Sequence, residues 1–136
     1  MSMATNDVTL IQCTDSKRDT PALARDLYDE SRYFCRMRAW AEHRGNLWYI
    51  LSAKHGLIAP TEIIAPYDER GLIEEQASEI SRSLHNVGVE TVHITAGRDY
   101  TSPLIPRLET FGMDVVNHFA GEPIGRRERL LREAVE

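Results

Sequence analysis

Four short apolar runs punctuate the chain: residues 8–13 (VTLIQC), 47–52 (LWYILS), 91–95 (TVHIT) and 114–118 (DVVNH). Each is too short for a helix and carries β-branched or aromatic side chains, so each predicts a strand. Between the first two, Leu23, Leu27, Phe34, Met37 and Ala41 share one face at helical spacing, and Thr20 with Pro21 supplies a helix start. Between the second and third, Ile73, Ala77, Ile80 and Leu84 mark another amphipathic helix, closed by Gly88. A helix over 103–111 presents Leu104, Leu108 and Phe111 and ends at Gly112, and a last helix follows Gly125. Strands and helices therefore alternate along the chain. The pattern predicts an α/β fold: a three-layer single domain with a mostly parallel four-stranded sheet flanked by helices, covering residues 1–136.

One segment breaks the alternation. In residues 56–72 (GLIAPTEIIAPYDERGL), Pro60 and Pro66 forbid a regular helix. The segment reads as an ordered loop with one short turn around 61–64.

Composition narrows the class. With 136 residues, 42% of them hydrophobic and 27% charged, the chain can bury a real core without disulfides. No apolar run approaches the roughly 20 residues of a membrane helix, and the opening MSMATNDVTL lacks a basic segment followed by an apolar one. The expectation is a cytoplasmic protein with no membrane partner. Two cysteines occur, neither at zinc-ligand spacing, and Cys35 reads as a buried free thiol on a helix. The five histidines are scattered, so neither a metal nor a cofactor is expected. A net charge of −5 argues against gripping duplex DNA through its phosphates. The arginines of residues 125–136 (GRRERLLREAVE) alternate with Glu128, Glu133 and Glu136 and read as a solvated helix face.

In an open parallel sheet, ligands bind where the carboxyl ends of the strands meet their loops. Those loops read CTDSK, SAKHG, AGRDY and HFAGEP. In the first, Cys13, Asp15, Ser16 and Lys17 offer hydroxyls, amides and a cation to an anion or to the edge of a base; equally, Asp15 or Ser16 caps a helix and Lys17 is solvated. In the second, Ser52, Lys54, His55 and Gly56 place two proton carriers beside a backbone free to turn, although each alone reads equally as structural. In the third, Gly97 permits close approach, Arg98 can clamp a phosphate or carboxylate, and Tyr100 can stack or donate; a surface turn is the alternative. The proline-bracketed loop from Pro60 to Tyr67 adds to the same wall. His118 and Glu122 are weaker candidates. No HExxH, GxSxG or glycine-rich phosphate loop is present.

The pattern Cys13-x-x-x-Lys17, Ala24-x-x-Leu27-Tyr28, WYILSAKHGLIAPTEIIAPYD and AGRDY resembles a family of small α/β proteins of archaea, bacteria and phages defined as a domain of unknown function. The block SAKHGLIAPTEIIAPYD is also similar to a segment of YaaA-type peroxide-stress proteins. A further likeness is to archaeosine synthase, in which Cys-Ser-x-x-Lys follows the first strand and Ser-Pro-x-Gly-x-x-Pro-x-Glu follows a later one. Cys13 to Lys17 match the former, and Ser52, Gly56, Pro60 and Glu62 the latter; the residues after Lys17, RDTPALA, depart from it. That enzyme modifies a 7-deazaguanine base in transfer RNA, and its catalytic domain is related in fold to uracil-DNA glycosylases.

The resemblance implies a ligand that is a nucleobase, nucleoside or nucleotide, with nucleic acid as a further partner and base modification or glycosidic chemistry as the reaction class. Lys17 and Arg98 would then meet negative charge or carbonyl oxygens, and Ser52 with the Gly56 turn would fix the ring. Tyr67 or Tyr100 would stack, and His55 or Lys54 would transfer protons. Two rivals stay open. One is a noncatalytic DNA- or RNA-binding stress protein with a basic face of Arg32, Arg36, Arg126, Arg127 and Arg129; the other is a partner-binding regulatory module. Whether the chain is an enzyme is left open by its residues.

Overall fold

A computed structural model describes residues 6–14, 17–69 and 71–136. Its main sheet has five strands in the order β4-β3-β1-β6-β7: β1 (Asp7–Gln12), β3 (Leu47–Ser52), β4 (Gly56–Ile58), β6 (Thr91–Thr95) and β7 (Asp114–Asn117). All pairs are parallel except β3 with β4, so the architecture is the mostly parallel α/β sheet expected, with one strand more. β1 sits centrally, Leu10 pairing with Tyr49 on one side and Ile94 on the other. Leu10, Ile50 and Ile94 are fully buried, as a sheet covered on both faces requires.

Helices α2 (Arg32–Arg44) and α5 (Ile124–Val135) pack on each other, as do α3 (Glu74–Asn86) and α4 (Arg98–Thr110). The chain moves from β1 to β3 in one direction across the sheet and from β3 to β6 and β7 in the other, so crossovers of the usual right hand require the two helix pairs on opposite faces. No described helix is long and apolar enough to cross a membrane.

Three local readings are corrected. The extra strand lies in the segment read as a loop: Gly56, at φ 73°, lets the chain reverse after Ser52 and pair back along β3, Ser52 opposite Gly56 and Ile50 opposite Ile58. Further along, β5 (Ile63–Ile64) forms a two-stranded antiparallel ladder with β2 (Ala22–Leu23). Second, the long helix expected after β1 is broken into a turn, α1 (Ala24–Leu27), and α2. Leu23 is held in that ladder, and Ser31 starts α2 afresh by accepting a hydrogen bond from the Phe34 amide at 3.1 Å. Third, Cys35 is exposed. The buried stripe of α2 is Phe34, Met37, Trp40 and Ala41, and position 35 falls outside it.

α4 begins five residues before the expected start at Pro103 and runs through both Pro103 and Pro106. Proline at 103 cannot donate to the carbonyl four residues earlier. That carbonyl, on Asp99, instead accepts from the Leu72 amide at 3.0 Å, which ties the long loop to the start of α4.

Candidate functional site

The polar tip of β3 is first of all a hairpin turn. The Ser52 hydroxyl, fully buried, accepts from the amides of Lys54 (3.2 Å) and His55 (3.0 Å), and Gly56 closes the loop. Gln76 of α3 donates to the Ala53 carbonyl and holds the turn against that helix. Lys54 and His55 are exposed. Lys54 and Gly56 line a groove of about 280 Å³ shared with Gln76 and Glu79 of α3. The His55 ring reaches the other way as well, standing edge-on to Tyr67 with ring centroids 5.4 Å apart.

Beneath Tyr67 lies a buried cluster of hydroxyls and one thiol. The Tyr67 and Tyr28 hydroxyls are 2.5 Å apart, and the Tyr67 hydroxyl also bonds Cys13 and Ser52. Cys13 Sγ lies 3.1 Å from the Tyr100 hydroxyl. Tyr28 and Ser52 are fully buried, Cys13 is 2% exposed, Tyr100 3% and Tyr67 8%. Four chain segments therefore contribute: the end of β1, the α1 turn, the β3 hairpin with its following loop, and the first turn of α4. Burial pushes the Tyr67 hydroxyl far above the ordinary tyrosine range, and the Cys13 thiol adds to the effect. Burial raises Tyr28 as well, against a smaller opposing effect from its bond to Tyr67. Both are neutral hydroxyls at physiological pH, able to donate as well as accept.

Lys17 roofs this cluster. Its ammonium lies 4.5 Å from the Tyr67 ring centroid and 5.7 Å from that of Tyr28, within cation–π range. Lys17 and Tyr67 line an open cleft of about 320 Å³ together with Arg18, Asp19, Pro66 and Asp68. The arrangement offers an aromatic face and a cation at the carboxyl ends of β1 and β3, backed by a buried cluster of mutually bonded hydroxyls.

The strand order reverses between β1 and β6, since the chain runs from β1 outward to β3 and then returns past β1. Gln12 bridges that point: its Oε1 accepts from the Gly97 amide, and its Nε2 donates to the Cys13 carbonyl at 3.3 Å. A Cβ on Gly97 would stand 3.3 Å from Gln12 Oε1, so the residue is chosen for close approach.

Of the residues singled out in the sequence, Cys13, Lys17, Ser52, Tyr67 and Tyr100 come together, with His55 at the rim. Gly97 and Arg98 belong to the start of α4, where Arg98 lines a separate cleft of about 610 Å³ between the ends of β6 and β7. Glu62 is part of a loop turn, its carboxylate accepting from the Ala59 amide at 2.7 Å. Asp15 and Ser16 lie outside the described residues. Sequence reasoning missed Tyr28 and Gln12 as members of the cluster and Arg127 as part of the larger cleft. For Tyr28 the available signal was its place in the pattern Ala24-x-x-Leu27-Tyr28.

The histidines of β6 and the β7 end form a second polar group. His93 Nδ1 is 3.1 Å from His118 Nε2, and His93 Nε2 is 3.4 Å from Asp7. The His118 ring meets Trp40 edge-on at 5.0 Å. Burial, then Arg44 and His93, push His118 down to about 4. No three metal-binding side chains cluster among the described residues.

A family model matches residues 8–133, described as a family of unknown function, DUF6884. The chain belongs to that family. The match spans all seven strands but the first residue of β1, and it takes in Cys13, Tyr28, Ser52, Tyr67 and Tyr100. No curated protein matches the chain, and no solved structure does.

Proposed function

We propose that the protein binds a nucleobase, or the base end of a nucleoside or nucleotide, over Tyr67 at the carboxyl ends of β1 and β3. The observation that carries this reading is the Lys17 ammonium 4.5 Å above a tyrosine ring whose hydroxyl is bonded into the Cys13, Tyr28 and Ser52 cluster. A planar heterocycle needs a ring to stack on and a cation for its carbonyl oxygens. Both are within one small region, and the buried hydroxyl cluster holds the ring in place. The likeness of CTDSK and SAKHGLIAPTE to segments of a base-modifying enzyme points the same way. If chemistry follows binding, Lys17 and His55 are, of the three proposed proton carriers, the two beside Tyr67, whereas Lys54 faces the α3 groove.

The nucleic-acid-binding rival is disfavoured by the ion pairs on its supposed basic face. Arg32 pairs with Glu128 at 3.2 Å, Arg126 with Glu122 at 3.0 Å, and Arg129 lies 3.9 Å from Glu133. Those cations are matched locally rather than presented to phosphates.

Thermal denaturation with a panel of free bases, nucleosides and nucleotides tests the proposal. A ligand at ten times its Kd adds about 1.4 kcal/mol, which for a chain of this size raises Tm by about 3–6 °C. The shift should disappear in Tyr67→Ala. If no member of the panel shifts Tm at millimolar concentration, the proposal is wrong.

A further inference from the structure

The larger cleft, at the ends of β6 and β7, is separate from the tyrosine cluster and has different chemistry. Arg98 of α4 and Arg127 of α5 both line it, with Thr101, Ser102 and Asn117 between them. Arg127 is fixed in place. Its Nε donates to the Glu122 carbonyl at 2.8 Å and its Nη1 to the Ala96 carbonyl at 3.3 Å, with the Tyr33 hydroxyl at 3.5 Å. These acceptors are all neutral, and no carboxylate among the described residues forms an ion pair with Arg127 or with Arg98. Nη2 of Arg127 has no partner among the described residues. The carboxylate lining the cleft, Glu122, is engaged by Arg126 at 3.0 Å. Two guanidinium groups without an ion-pair partner among the described residues therefore line one cavity of about 610 Å³.

We propose that this cleft is an oxyanion site for a phosphate group, free or carried as a monoester. The Arg98 fork together with the free Nη2 of Arg127 suits a dianion with several oxygens better than a single carboxylate. The hydroxyl of Ser102 and the side-chain amide of Asn117 provide further donors, whereas the Thr101 hydroxyl already donates to the Gly97 carbonyl at 3.3 Å. α5 has no side-chain cap and no acidic residue in its first turn, so its positive end adds to the same potential, whereas Asp99 offsets that of α4. The positioned Arg127 sets the floor, and the exposed Arg98 closes on the ligand from the rim. This site does not depend on the base pocket, and either can fail without the other.

Calorimetric titration with inorganic phosphate, at constant ionic strength set with chloride, is the test. Wild type should bind saturably. Arg98→Gln, at an exposed position with no described partner, should keep its Tm and lose affinity about tenfold or more. Arg127→Gln should lose binding as well, but because that change also removes bonds to Ala96 and Glu122, the Arg98 variant decides. Adenosine monophosphate distinguishes the source. Tighter, Arg98-dependent binding of the monoester than of phosphate assigns a phosphorylated metabolite, and the reverse order assigns free phosphate. Absence of saturable phosphate binding at millimolar concentration, or binding unchanged in Arg98→Gln, would overturn the proposal.

Discussion

His118 sets a pH dependence that can be worked out in advance. Its imidazole is pushed from the ordinary 6.5 down to about 4, mainly by burial, with Arg44 and His93 adding to the effect. His93, also lowered by burial and Arg44, is opposed by Asp7. Because the unfolded chain takes up the proton first, stability is fully present above about pH 6.5 and is lost as pH falls toward 4. At roughly 1.4 kcal/mol per pKa unit the unscreened ceiling is about 3 kcal/mol. The ring is part-exposed, so solvent screening reduces this to about 1–2 kcal/mol. Urea unfolding of wild type and His118→Gln at about pH 7.5, 5.5 and 4.5 isolates the effect, since carboxylates titrate in both proteins and cancel in the difference. The wild type should lose about 1–2 kcal/mol more than the variant over that interval. Parallel pH profiles for the two proteins would refute the reasoning.

Ser52→Ala strips two turn amides of their buried acceptor and should cost about 1–3 kcal/mol in urea unfolding, although Ser52 was first of interest as a ligand contact. Gly56→Ala should cost about 1–2 kcal/mol for its left-handed backbone alone, because the nearest atom to the new Cβ, Ile80 Cγ1, is 3.9 Å away. Of the two thiols, the exposed Cys35 should react promptly with a disulfide reagent, whereas the buried Cys13 should react only as fast as the cluster opens; equal rates would contradict its placement.

The parallel core was legible because its strands are buried on both faces and therefore read as continuous apolar runs, as VTLIQC and TVHIT do. What escaped was short and held from outside itself. Gly56–Ile58 is a strand by virtue of pairing with β3, and its three residues carry no period of their own. Ala22–Leu23 interrupts a good helical stripe only because Ile63–Ile64 lies alongside. The candidate site shows the same division. Strand-end loops identify Cys13, Ser52 and Tyr100, since the tips of the parallel strands share one edge of the sheet. The pairing of Tyr28 with Tyr67 depends on how two irregular segments dock, which spacing along the chain does not encode. The tip that looked most reactive, Lys54 and His55, is in part the geometry of a tight turn around Ser52.

The central claim is that a base-like ligand sits over Tyr67. Amide chemical shifts recorded while purine and pyrimidine nucleosides are titrated into the labelled protein test it most directly. The account predicts saturable changes concentrated at Lys17, Tyr28, Ser52, His55 and Tyr67. Saturable changes confined to the α3 groove or to the β6–β7 cleft, with those residues unmoved, would contradict it.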